Sequence, residues 1–406
     1  MSRTYVGFGF GPIQTGLMLY EAFDAGAFDR FVVAEVDQGL VDAVRTAGNS
    51  ITINIAGMKG ITAKRMSGIE LFNPRVPEDR SKIVSAVAEA SELATAIPSI
   101  NLYAAGGDAS IASLIASGVT PDKQRIVYTA ENNNFAAEAL DAEVRKRATA
   151  DRLASLQILN TVVGKMSGVV SSADEMRRLG LAPLVPGYEK CVLVEEFNRI
   201  LISRITLAGF KRGIAVFQEK DDLLPFEEAK LYGHNAIHAL LGYLARLRGY
   251  EVMSRIGSDT ELLDLGRQAF LRESGAALIK KHAHTGDPLF TTDGYASYAE
   301  DLLQRMVNPF LLDRVDRIIR DPKRKLAWND RLFGTMRVAL EQGISPRIMA
   351  MGAAAAVDYA LKEEKSSSSP RQYLDALWGA EASGAARETC LRMVEEALPR
   401  LSAGKP

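Results

Sequence analysis

Residues 4–16 read TYVGFGFGPIQTG, and the fold turns on what this stretch does. It opens as a short apolar strand and supplies Gly7, Gly9, Gly11 and Gly16 ahead of a helix-forming run, TGLMLYEAFDAG. A second strand-like run, RFVVAEVD, follows. Strand, glycine-rich turn, helix and strand in that order make a βαβ unit. Glycine at such a turn lets the backbone bend tightly and approach a diphosphate, which rests on the helix N-terminus. Gly9 and Gly11 fit the first two positions of GxGxxG; Gln14 stands at the third, where glycine normally serves helix–strand packing. The cradle residues are Gly9, Gly11, Pro12, Ile13 and Gln14. Glu35 ends the second strand about 20 residues further on, where a carboxylate holds the adenosine ribose hydroxyls and repels a 2′-phosphate. An ordinary glycine-rich loop is the plain alternative. The context favours a dinucleotide site, with NAD preferred over NADP.

Strand-like runs continue downstream: SITINIAG, SINLYAAG, RIVYTAEN and LQILNTVVG. Helical segments such as SKIVSAVAEASELATA and AAEALDAEVRKRATADRLASL separate them. This alternation predicts a parallel sheet covered on both faces. After about Lys220 the texture changes. Asp221, Asp222 and Pro225 read as a helix start, and the rest is helical in period apart from breaks at GDPLFTTDG, NPF, DPKRK and KSSSSP. The expected fold class is an α/β N-terminal Rossmann-type domain with a parallel-core sheet (1–222), followed by an all-α C-terminal substrate and catalytic domain (223–406).

Composition limits the function. The 49 basic and 50 acidic residues leave a net charge of −1, so nothing in the balance draws nucleic acid or an anionic membrane. Two cysteines, Cys191 and Cys390, cannot form a disulfide framework, which points to a reducing compartment. The N-terminus lacks the apolar core of a secretory signal. The apolar run IMAMGAAAAVDYAL is interrupted by Asp358 and is too short to span a bilayer. A cytoplasmic protein is expected. The four histidines show no zinc spacing, so no metal is expected.

From Lys230 the chain reads KLYGHNAIHALLGYL. At ~100° per residue, Lys230, Asn235 and His238 fall near 0°, 140° and 80° of an α-helical wheel. They share a broad face that is either a solvated helix end or the wall of a catalytic cleft. His234 joins the same face as cleft wall or solvated residue.

Lys230, Asn235 and His238 reproduce the pattern Lys-x4-Asn-x2-His without a gap. With ESGAALIKKH, NPFLLDRVDRIIRDPKRKL, NDRL and the AEN step ending at Asn132, the sequence resembles the polyol-specific long-chain dehydrogenases of the mannitol dehydrogenase family. The resemblance covers nearly the whole chain and is densest from Lys230 onward, and the length is similar to that of the phosphate-using branch. It implies an NAD-dependent, metal-independent oxidoreductase that interconverts a hexitol phosphate and a ketose phosphate, working as a monomer with its cleft between two domains. Lys230 would be the general base, which requires its pKa to fall from the free value of ~10.4. Asn132 and Asn235 would donate to the developing alkoxide. His238 would orient the hydroxyl or the lysine, and Glu227 or Glu228 would relay the proton.

In one place the chain departs from the family. Gly164 and Lys165, in VVGKM, stand where the family carries an acid and an arginine. That keeps open an unphosphorylated polyol, a sugar acid or a sugar conjugate as substrate. A reading of another class is a non-catalytic dinucleotide-binding sensor. For a phosphate anchor, DPKRKLAWNDRL offers Lys323, Arg324, Lys325 and Arg331, against a plain reading as solvated loop. The Lys280–Lys281 pair is the second choice.

Overall fold

The computed structural model describes residues 3–402 and divides into two compact units, Met1–Leu224 and Pro225–Pro406. The first unit carries all twelve strands found among the described residues. These are β1 (Thr4–Phe8), β2 (Arg30–Ala34), β3 (Ser50–Gly57), β4 (Gly60–Ser67), β5 (Ile69–Phe72) and β6 (Ala90–Thr95). After them come β7 (Arg125–Thr129), β8 (Leu156–Val162), β9 (Ser167–Val170), β10 (Cys191–Glu195), β11 (Leu201–Ser203) and β12 (Gln218–Lys220).

Eight strands form one sheet in the order β12-β11-β8-β7-β6-β1-β2-β5. From β8 to β5 every pairing is parallel, and β11 joins β8 antiparallel. Successive side chains of a strand point to opposite faces, and both faces here are buried. Tyr5 and Val33 enter one apolar cluster, whereas Val6, Phe8 and Val32 enter the other. The expected parallel core is present. The run SITINIAG is a strand but belongs elsewhere: β3 lies in a second, four-stranded sheet ordered β4-β3-β10-β9.

One strand lies elsewhere than the sequence pattern predicts. SINLYAAG holds only a 3₁₀ turn at Ile100–Leu102, and the strand next to β1 is β6, the tail of the segment read as the helix SKIVSAVAEASELATA. The helix Pro77–Glu89 stops at Glu89, and all six residues of β6 are buried in the sheet centre. Its ASELAT sequence has weak strand propensity, and burial between β1 and β7 overrides it.

The second unit is helical, with a single isolated bridge, Val252–Arg314, among its described residues. Asp222 accepts the Leu224 amide at 2.9 Å as the helix Leu224–Glu228 begins. The helix Ala236–Leu247 packs against Arg347–Glu363, where a Cβ on Gly352 would lie 2.5 Å from Leu240, so glycine permits the close approach. KSSSSP ends in a capping box in which Ser369 and Gln372 start the helix Pro370–Trp378. No helix among the described residues is long and apolar enough to cross a membrane.

Candidate active site

The C-terminal ends of β1, β2, β6 and β7 open on a cleft of about 650 Å³ in the first unit. Gly9, Gly11, Pro12, Ile13, Glu35 and Asn132 line it. Gly9 has φ +84°, and a Cβ there would come within 2.7 Å of the Ala96 carbonyl oxygen, so only glycine fits. A Cβ on Gly11 would meet no protein atom within 4 Å. The Glu35 carboxylate accepts the amides of Val36 (2.8 Å) and Asp37 (2.9 Å), which fixes it at the mouth of β2. Val36 (50% exposed) and Leu102 (44%) turn apolar surface toward the same cleft. A glycine cradle, a fixed carboxylate and apolar walls match the diphosphate, ribose and base of a dinucleotide.

Gln14 is not among the cleft-lining residues. Its amide nitrogen donates to the Tyr5 hydroxyl at 2.8 Å inside the core. A Cβ on Gly7 would lie 2.2 Å from that nitrogen, so Gly7 makes room for the longer side chain. Gly16 permits a second close approach, to the four-stranded sheet: a Cβ there would lie 2.4 Å from Val194 of β10. Residues 14–18 form a π-helical turn.

Asn132 follows β7 on a loop anchored by its neighbour. Glu131 is buried and accepts from Thr95 Oγ1 (2.8 Å), the Ile97 amide (3.0 Å) and the Tyr103 hydroxyl (2.5 Å). Burial pushes its carboxyl above the usual range, against those hydrogen bonds. Lys165, the departure in VVGKM, is buried, and its charge acts on the buried Glu21.

In the second unit, Ala229–Asn235 is a π-helical turn, not the α-helix of the wheel above. α-Helical geometry would leave Lys230 and Asn235 ~140° apart, whereas an i→i+5 turn brings residue 235 back over residue 230. The α-helix resumes at Ala236, where Asn235 and His238 are ordinary i, i+3 neighbours. The widened turn thus sets the three side chains in one row. Lys230 is partly buried, and its pKa is lowered to about 8, first by desolvation and then by the charge of Arg331, with Glu227 opposing.

His238 Nε2 lies 2.7 Å from Asp313 Oδ2. Burial alone would raise the Asp313 carboxyl, but the charges of His238 and Arg317 outweigh it and hold the group at about 2. An ionised carboxylate only accepts, so His238 Nε2 carries the proton and Nδ1 is left for other partners. Asp313 lies in NPFLLDRVD, where no spacing rule singles it out. His234 is buried, not solvated, and its ring stands 6.0 Å from that of His238. Desolvation, helped by His238, Arg305 and Lys230, pushes it well below its ordinary pKa and keeps it neutral.

The four anchor candidates separate into two pairs. Lys323 pairs with Glu364 at 3.0 Å and Arg324 with Asp321 at 3.5 Å, both as surface ion pairs. Lys325 is buried, donates to the Arg320 carbonyl, and has its pKa lowered to about 8 by burial and then by Arg331. Arg331, with Asp330 at 2.7 Å, is close enough to lower both Lys230 and Lys325, so three cationic side chains gather in this part of the unit. Lys280 donates to the Gln342 carbonyl at 2.8 Å. Glu228 is held by Lys281 and His282, each at 2.7 Å, whereas Glu227 acts electrostatically on Lys230.

A Rossmann-type unit with a glycine cradle is followed by a helical unit bearing Lys-x4-Asn-x2-His, the two parts that the resemblance to the polyol dehydrogenases leads one to expect. Residues 222–393 match the mannitol dehydrogenase C-terminal domain. The chain is 28% identical over 372 residues to mannitol-1-phosphate 5-dehydrogenase of Caldanaerobacter subterraneus subsp. tengcongensis, covering 91% of this chain and 89% of that one. Its fold is similar to that of Pseudomonas fluorescens mannitol 2-dehydrogenase, solved with NAD and D-mannitol (TM-score 0.72, 16% identity, 100% of this chain and 92% of that one). It is also similar to a D-sorbitol dehydrogenase (TM-score 0.75, 15% identity, 100% and 94%).

Proposed function

We propose that the protein is an NAD-dependent oxidoreductase interconverting a hexitol phosphate and a ketose phosphate, with Lys230 as its general base. The observation that carries this reading is a partly buried lysine with its pKa lowered to about 8 at the head of a Lys-x4-Asn-x2-His row. A base works best when its pKa lies near the operating pH. Gly9, Gly11, Pro12, Ile13 and Glu35 would hold NAD, which when bound would accept the hydride. Lys230 Nζ takes the proton of the substrate hydroxyl as the carbonyl forms. The Asn235 side-chain amide donates to the oxygen while its charge develops. His238, fixed by Asp313, orients that hydroxyl, and Glu227 carries the proton onward.

Lys325 and Arg331 support the phosphorylated substrate. They are cations grouped with the base, and a phosphate ester would relieve their mutual repulsion. The relative named above for mannitol 1-phosphate favours the same choice. The test is kcat/KM with fructose 6-phosphate against fructose, fructuronate and tagaturonate in wild type and Lys325→Ala. The reading expects a preference for the phosphate ester, with its KM raised about tenfold or more in the variant. Equal rates on fructose and no effect of Lys325→Ala would move the substrate to the unphosphorylated class. Binding of NADH with silence on all four would favour the sensor.

A further inference from the structure

We propose that Ser274 is a positioning residue for the reaction: its hydroxyl holds open the widened turn that aligns Lys230 with Asn235. This rests on the reading of those two residues as catalytic. Ser274 is buried in a second π-helical turn, Ala269–Gly275. A serine inside a helix ordinarily bonds back to a carbonyl one turn earlier in its own helix. This one reaches across the unit, donating to the Tyr232 carbonyl in the middle of the catalytic turn at 2.8 Å. With its proton committed there, Ser274 Oγ accepts from the Tyr295 hydroxyl at 3.3 Å, which completes a relay Tyr295 → Ser274 → Tyr232 carbonyl.

The surroundings are shaped for this contact. A Cβ on Gly233 would lie 2.7 Å from the Tyr295 hydroxyl, and one on Gly275 would lie 2.7 Å from its ring, so glycines on both turns admit the tyrosine. Thr335 Oγ1 stands 3.2 Å from the same Tyr232 carbonyl but only 2.5 Å from the Arg331 carbonyl; its single proton favours the nearer acceptor. Ser274 is therefore the dedicated donor. An i→i+5 turn is less favourable than an α-turn and persists where side chains or neighbouring structure support it. Without the hydroxyl the turn can relax toward α-helical geometry, which would swing Asn235 away from Lys230. Alignment matters most in the transition state, so the loss should fall on kcat and not on KM.

The experiment compares Ser274→Ala and the volume-conserving Tyr295→Phe with wild type in the full chain. Steady-state kinetics is read on fructose 6-phosphate and hydrogen exchange on peptides spanning 230–238. In Ser274→Ala, kcat should fall about tenfold or more at unchanged KM, and amides of the catalytic turn should exchange about tenfold faster. Tyr295→Phe should move both readouts the same way by less, and it carries the test if the alanine variant does not fold. Unchanged exchange across 230–238 would overturn the proposal. So would unchanged kcat in a variant that only melts earlier. If wild type turns over no ketose or ketose phosphate, the catalytic reading fails, and the exchange contrast still decides whether Ser274 holds the turn.

Discussion

At the residue scale, Lys230 as the proposed base implies a pH dependence from its lowered pKa. As a base it must be neutral, so kcat/KM for alcohol oxidation should rise with pH through about 8 and level off above it. Reduction of the ketose needs the protonated form and should decline over the same range. Burial is the first cause of the low value and Arg331 the second, so Arg331→Ala should move both profiles to higher pH. Lys325 does not act on Lys230 in this way, and Lys325→Ala should leave the profile in place, which separates the two cations. Asp313 gives another prediction. Its carboxyl is held at about 2, below the ordinary ~3.9, so its contribution to stability is complete above the ordinary value and is lost only as pH falls through about 2. Asp313→Ala should cost roughly 3 kcal/mol in chemical denaturation at pH 7, since it leaves His238 and Arg317 without their buried partner. Retention of wild-type stability and activity would remove Asp313 from the site. Lys230, Asn235 and His238 could be proposed from the sequence because they form one contiguous pattern. Asp313 could not, because its partner is 75 residues away and only folding joins them.

At the scale of elements, two packing devices can be tested by melting. Gly16 lets the cofactor helix approach β10, and a Cβ there would press on Val194 at 2.4 Å. Gly16→Ala should therefore destabilise by about 1–3 kcal/mol; an unchanged melting temperature would mean the helix can shift at no cost. Glu273, beside Ser274, accepts the amides of Ile348 (2.8 Å) and Met349 (2.9 Å) at the start of the helix Arg347–Glu363. Burial raises its carboxyl from 4.5 to about 7 despite those bonds. The folded state thus holds the proton more tightly, and this contribution to stability is complete below pH 4.5 and lost as pH rises through about 7. At ~1.4 kcal/mol per unit the loss is on the order of 3 kcal/mol. Glu273→Gln should flatten the fall of melting temperature between pH 4.5 and 7, and a slope equal to wild type would refute the assignment. Elements were legible where period and punctuation agreed, as in β1, β2, β7 and β8. They failed at β6, where burial imposes a strand on ASELAT. The π-turns at 14–18, 229–235 and 269–275 were also illegible, because an α-helical period assumed throughout cannot show where a helix takes in an extra residue.

At the scale of the whole molecule, the glycine cradle and Lys230 lie in separate units, which makes their contributions separable by mutation. The change of texture near Lys220 marked the passage from strands to helices because mixed and purely helical cores need different hydrophobic periods. Which of the basic residues could anchor a phosphate was less visible, since DPKRKLAWNDRL presents four similar cations and only folding sends two of them into surface ion pairs. Replacing Glu35 by Ser should leave the fold intact and admit NADPH as well as NADH, because the charge that repels a 2′-phosphate is gone; unchanged selectivity would transfer that role to another residue. The most direct test of the central claim is the initial rate of NADH oxidation with fructose 6-phosphate in wild type and Lys230→Ala, with NADH binding followed by fluorescence in both. The account predicts turnover in wild type, a loss of at least about 10³-fold in the variant, and equal NADH affinity in the two. Turnover that survives the loss of Lys230 would contradict it.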